Sequence, residues 1–282
     1  MSTWPDFNDL WDYGDPEGTE QAFRELLAEA ESSGDQSYHL QLLTQIARTY
    51  SLRKNFDEAH NILDLVQSNM AGEDIVEVRY LLERGRTYNS ANRVDEALDL
   101  FHKAVGLGAA IGEDYYSIDA LHMLGISAPS EELMTWNLKA IEAAENSSDE
   151  HASKWLSSLY NNTGWTLFDD EKFDDALDLF QKAQELRESE GKTQSLLIAK
   201  WCVAKTLRAL GRLDEALDIQ RALVTDPEHS PFVEEEMAEC LLAMGNQNDA
   251  KPYFKIAFEA LSEIDWVAED TERIERLKKL SE

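Results

Sequence analysis

The chain has 282 residues, 43% of them hydrophobic, and sets 56 acidic side chains against 26 basic ones for a net charge of −30. A field of that sign opposes nonspecific binding to nucleic acid and to anionic membrane surfaces, so neither is an expected partner. No apolar run is long enough to span a bilayer, and two cysteines, Cys202 and Cys240, make neither a disulfide framework nor a zinc site, so a reducing, cytoplasmic setting is expected.

Residues 1–15, MSTWPDFNDLWDYGD, are acidic and aromatic and lack the basic and apolar regions of a secretory signal. Trp4, Phe7, Trp11 and Tyr13 are expected to cap the open apolar edge of the helix that follows. Asp15 suits an N-cap and Pro16 a first helical position, which predicts a helix from residue 16, the second half of an incomplete hairpin.

From there to about residue 263 one phrase recurs after short polar turns. It reads DEAH at Asp57–His60, DEAL at Asp95–Leu98, DDAL at Asp174–Leu177 and DEAL at Asp214–Leu217, with weaker copies at Glu20–Phe23 and Asn248–Lys251. Its alanines, Ala22, Ala59, Ala97, Ala176, Ala216 and Ala250, are separated by 37, 38, 79, 40 and 34 residues. The interval of 79 is two units, so a degenerate copy lies near residues 115–146, with Pro129 at its turn. Within each unit apolar residues recur at three- and four-residue steps, as in Leu98, Phe101 and Ala104. That is the signature of an amphipathic helix. After the last copy, Ile274, Leu277 and Leu280 predict a capping helix over residues 264–282.

Twelve residues before each anchor alanine stands a small residue, Ala47, Gly85, Gly164, Ala204 or Ala238, and Phe101, Phe180 and Phe254 follow their anchors by four. This pattern resembles the tetratricopeptide repeat. The resemblance implies an all-α fold, a right-handed α-solenoid of about six antiparallel helix hairpins with terminal caps, and a non-catalytic scaffold that binds a protein or peptide in its concave groove. A ligand-responsive regulatory sensor is the alternative. Units of 37 to 40 residues exceed the usual 34 of that family, so longer second helices or longer loops are expected.

No phosphate loop, zinc-protease motif, nucleophile elbow or calcium loop is present, so no catalytic residue, metal or cofactor is expected. The acidic run Phe168–Asp175 reads as a solvated turn, and His122, His151, Trp136 and Trp155 read as structural or surface residues.

The resemblance places positions 2, 5, 9 and 12 of each first helix on the groove, a stripe that helical geometry supports independently. In four units its sixteen positions hold five basic residues and no acid, and the last unit breaks the row with Phe232, Glu235, Glu239 and Leu242. Arg48, Arg79, Arg86, Asn89, Asn161, Trp165, Trp201, Lys205 and Arg208 are the candidate groove residues, suited to an acidic or carboxylate-ended segment. The competing reading packs the tryptophans between helices and pairs the basic groups with neighbouring acids.

Overall fold

The computed structural model describes residues 4–191 and 193–282, which are helical apart from short connections, with no strand among them. The chain divides into two compact units, the first ending at Trp155 and the second running Leu156–Glu282, where the sequence reads as one continuous array. The first unit opens with a 3-10 turn at Phe7–Leu10. It continues as α1 (Pro16–Ser33), α2 (Gln36–Leu52), α3 (Phe56–Asn69), α4 (Asp74–Ser90), α5 (Val94–Ile111), α6 (Asp114–Ser127), α7 (Ser130–Asn146) and α8 (Glu150–Ser153). The second unit holds α9 (Leu156–Asp169), α10 (Phe173–Glu190), α11 (Thr193–Ala209), α12 (Leu213–Val224), α13 (Phe232–Ala243), α14 (Gln247–Leu261), α15 (Asp265–Ala268) and α16 (Thr271–Ser281).

Five hairpins close with one turn. Lys54, Asn92, Glu171, Gly211 and Gly245, each five residues before its anchor alanine, adopt the left-handed conformation. In the first, Lys54 N–H donates to Ser51 O (3.0 Å) and Asn55 N–H to Tyr50 O (2.9 Å), and the same two bonds recur in the other four. This is the Schellman closure, which satisfies the last carbonyls of the first helix and reverses the chain. The acidic pairs of the repeated phrase sit in the first turn of the second helix, at Asp57 and Glu58, Asp95 and Glu96, Asp174 and Asp175, and Asp214 and Glu215. Carboxylates there face the positive end of the helix dipole, so part of the net charge has a local structural cause.

The core repeats with the turn. Ala59, Ala97, Ala176, Ala216 and Ala250 are fully buried, as are Phe101 and Phe180, with Phe254 nearly so. A Cβ on Gly85 would lie 2.5 Å from Phe101 Cε1, and one on Gly164 would lie 2.7 Å from Phe180 Cε1. These two glycines therefore make room for the ring of the second helix. First helices of successive hairpins pack on one another, α2 on α4 and α4 on α6, and the long second helices α5 and α10 (18 residues each) account for part of the extended period.

Two parts of the repeat are placed differently from the sequence reading. In the first copy Ala22 is only half-buried, and Thr19 and Phe23 take the buried anchor and ring positions three residues earlier. In the degenerate copy, α6 and α7, the small residue is Gly125 and the anchor is Asn137, which divides the interval of 79 into 40 and 39. Asn137 is buried and its Nδ2 donates to Gly125 O (3.1 Å), so a polar bridge replaces the alanine contact. The repeat therefore carries no anchor alanine there.

Candidate ligand face of the first helices

In the first unit the stripe converges on a small cavity of about 60 Å³. Arg79 and Arg86 lie seven residues apart on one face of α4, and Arg48 faces them from α2. Leu82, Tyr115, Tyr116 and Trp155 close the space around them. Arg86 is nearly dry. Its Nη1 donates to Glu83 Oε1 at 2.7 Å and its Nη2 to Asp119, while Arg48 Nη1 reaches the same Glu83 oxygen at 3.2 Å. Burial alone would push the Arg86 guanidinium down, and the fields of Asp119 and Glu83 more than offset this and hold it above its ordinary value.

Arg79 is treated differently. Its guanidinium lies 4.4 Å from the Phe7 ring and 4.9 Å from the Tyr116 ring, a cation held between two aromatic faces. Among the described residues no carboxylate lies within ion-pair distance of it. Burial raises the phenol of Tyr116, against which Arg79 pulls it down, and burial likewise pushes His122, packed 5.0 Å from Trp155, below its ordinary value.

In the second unit the stripe is an aromatic ladder. Trp165 lies 5.8 Å from Trp201, Trp201 lies 6.2 Å from Phe232, and Phe232 stacks on Trp266 at 5.7 Å. Trp201 Nε1 donates to Phe232 O (3.0 Å), which ties α11 to α13. Beside the ladder opens a cavity of about 340 Å³ lined by Leu197, Ile198, Trp201, Phe232 and Val233. Ile198 is 48% exposed and Trp266 64% exposed. Deeper along the stripe Lys205 and Arg208 share one carboxylate, Glu236, whose side chain is 2% exposed.

No family model matches the chain, and no curated protein matches it. Solved structures do. The apo form of RapI superimposes with a TM-score of 0.72 at 12% identity, covering 92% of this chain and 76% of that one. A signal transduction ATPase with numerous domains and a tetratricopeptide repeat sensor, from Pyrococcus horikoshii, gives 0.72 at 16% identity over 95% of this chain, which spans only 42% of that protein. A tetratricopeptide repeat protein from Parabacteroides merdae gives 0.53 at 16% identity over 98% of this chain and 95% of that one. The chain has the tetratricopeptide-repeat fold. At these identities the likeness is one of architecture, an all-α solenoid of helix hairpins.

Within this tetratricopeptide-repeat array the structure groups Arg48, Arg79 and Arg86 in the first unit and Trp165, Trp201, Lys205 and Arg208 in the second. Asn89 stands half-buried on the last turn of α4, and Asn161 Oδ1 accepts a weak bond from Cys202 Sγ (3.7 Å). Trp201 and Trp165 carry packing duties as well as lining the stripe. The stripe is not the acid-free row that the sequence count suggests. Glu83 and Glu236 stand one row behind it, and Asp119 occupies a stripe position of the degenerate hairpin. A guanidinium leaving water needs a counter-charge, and these carboxylates supply it. With the anchor set at Asn137, Asp119 and His122 fall in phase with Arg79 and Leu82, which is the signal that would have found them.

The amino-terminal segment reaches beyond the edge it is expected to cap. Phe7 and Trp11 do pack on Phe23 of α1, at 6.3 and 5.4 Å. The segment then continues across the first-helix face. Trp11 Nε1 donates to Gln45 Oε1 (3.0 Å), Arg48 lies 5.5 Å from the rings of both Trp11 and Tyr13, and Asp6 Oδ2 is 3.7 Å from His151 Nδ1 at α8. Among the described residues no group of three or more His, Cys, Asp or Glu side chains could hold a metal ion, and no helix is long and apolar enough to cross a membrane. Burial pushes the thiols of Cys202 and Cys240 up to about 12, which leaves both as poor nucleophiles.

Proposed function

We propose that the chain is a non-catalytic binding module that holds a segment of a protein partner along the first-helix faces of its hairpins. The observation that carries this reading is the ladder from Trp165 to Trp266 with its adjoining apolar cavity. Aromatic side chains that keep an open flank beside a concave pocket are the usual anchors of protein recognition. Ile198 and Trp266 are the exposed members, so they are the residues whose loss would weaken binding without removing a core contact. The cationic groups contribute less than their number implies, because Arg48, Arg86, Lys205 and Arg208 already face carboxylates of the chain itself. The fold, shared with repeat proteins of low sequence identity, supports a protein partner as the general class.

The test is selection from a random peptide library on the full chain, followed by titration of the selected peptides against Ile198→Asp and Trp266→Asp. Each variant is expected to keep its helical circular dichroism and to bind at least tenfold more weakly, as a central anchor of about 2 kcal/mol would require. Peptides that bind both variants as well as the parent would show that the ladder is not the surface used.

A further inference from the structure

A partner-shaped segment already lies on the first unit. Residues 4–15, WPDFNDLWDYGD, alternate aromatic and acidic side chains, with Trp4, Phe7, Trp11 and Tyr13 interleaved with Asp6, Asp9, Asp12 and Asp15. An edge cap would need to cover only α1 and its neighbour α2. This segment goes further, and its contacts are of the kind a receptor makes with a ligand. Trp4 stacks on Tyr38 at 4.7 Å and donates through Nε1 to Asp35 Oδ2 (2.9 Å). Phe7 stacks on Tyr38 at 5.0 Å and lies beneath Arg79 of α4. Tyr38 Oη donates to Pro5 O (3.3 Å), so the backbone is held as well as the rings. The guanidinium groups of Arg48 and Arg79 meet aromatic faces of the segment, and Gln45 receives an indole N–H.

We propose that the first-helix face of the first unit is a binding site for acidic, aromatic-rich peptide segments, and that residues 4–15 are its built-in occupant, which an external segment of the same chemistry must displace. The proposal rests on the reading of the first-helix faces as binding surfaces and adds to it the ligand class and a competitor in the same chain. Three features make the site selective. Arg79 meets aromatic faces and, among the described residues, no carboxylate within ion-pair distance, so it favours a ring followed by a negative group. Gln45 offers an acceptor to an indole. A cavity of about 450 Å³ between the segment and α6, lined in part by Trp4, Arg79, Glu113, Tyr116 and His151, leaves room for a ligand longer or bulkier than the segment it replaces. A tethered occupant acts at an effective concentration in the millimolar range, so the free segment competes with it only at millimolar concentration and a ligand present at less must bind considerably better.

The experiment uses the full chain and a fluorescent peptide of residues 4–15, with a scrambled peptide of the same composition as control. Phe7→Ala/Trp11→Ala loosens the tethered copy. The peptide is expected to bind this variant at least tenfold more tightly than the parent chain, and Arg48→Ala/Arg79→Ala added to it is expected to remove at least tenfold of that affinity. Equal binding to the parent and the loosened chain, or no binding to a loosened chain that retains its circular dichroism, overturns the proposal. Should the loosened chain fail to fold, a Tyr13→Cys label reads the same event in an otherwise unchanged chain. Cys202 and Cys240 are buried, so labelling is selective for the new thiol. Millimolar peptide is expected to raise the mobility of that label and the scrambled peptide is not, and a label indifferent to both overturns the proposal. These readouts lie in the first unit, whereas the Ile198 and Trp266 variants report on the second, so failure here is separable from failure of the binding-module reading.

Discussion

Arg86→Ala is expected to lower the stability of the chain by about 3–5 kcal/mol, the cost of leaving a buried charge without its partner. The Arg86 side chain is 11% exposed, Asp119 7% and Glu83 5%, and Arg86 is the cation paired with Asp119. Truncation would strand Asp119 among aromatic rings and leave Glu83 with Arg48 alone. Arg86→Met/Asp119→Leu is expected to recover most of the loss, because no unpaired charge then remains and the apolar replacements fill the same space. Denaturant midpoints of the three chains decide the matter. An Arg86→Ala chain as stable as the parent would mean that Arg86 is solvated and free for a ligand. The same reasoning disqualifies a charge reversal at Arg86 as a probe of binding, since Arg86→Glu would set three carboxylates together in a dry site and report on folding.

The second large effect belongs to the repeat itself. Phe101→Ala is expected to cost about 3–5 kcal/mol, because the ring is fully buried and its removal leaves a cavity in the core. The more telling test uses the pairs found across hairpins. Gly85 faces Phe101, whereas the first hairpin has Ala47 and Leu63 at the equivalent positions, both fully buried. Gly85→Ala alone adds a Cβ where Phe101 Cε1 already stands, an overpacking of about 1–3 kcal/mol that the better helix propensity of alanine, about 1 kcal/mol, offsets only in part. Gly85→Ala/Phe101→Leu recreates the first hairpin's pair, so the double variant is expected to be more stable than the sum of the single losses by about 0.5–3 kcal/mol. Strict additivity would show that the two residues are not packing partners.

The repeated phrase made the fold legible because each of its residues answers one local problem. The acidic pair meets a helix dipole, the alanine a close helix crossing, and the phenylalanine the space opposite a glycine. The degenerate hairpin was hidden because Thr135, Trp136 and Asn137 replace the acidic pair and the alanine, and Asn137 keeps the small gap by hydrogen bonding to Gly125 O instead of by apolar contact. The candidate face was half legible. Helical spacing placed Arg79 and Arg86, or Trp201 and Lys205, on common faces, since that follows from periodicity. What neutralises them did not follow, because Glu83, Asp119 and Glu236 come from other rows or other helices, and burial is a property of the packed array. Nor did the path of residues 4–15, whose partners Gln45, Arg48 and Arg79 lie 34 to 72 residues away. An irregular segment has no period from which its contacts could be read.

Whether the chain works through its first-helix faces is tested most directly by photo-crosslinking. Library-selected peptides carrying a photoreactive side chain would be irradiated with the full chain, and the modified residues located by mass spectrometry. Crosslinks are expected on α11 and α13 around Ile198 and Phe232 and, for acidic aromatic peptides, on α2 and α4 around Arg48 and Arg79. Crosslinks confined to the second helices α10, α12 and α14 would contradict the proposed function.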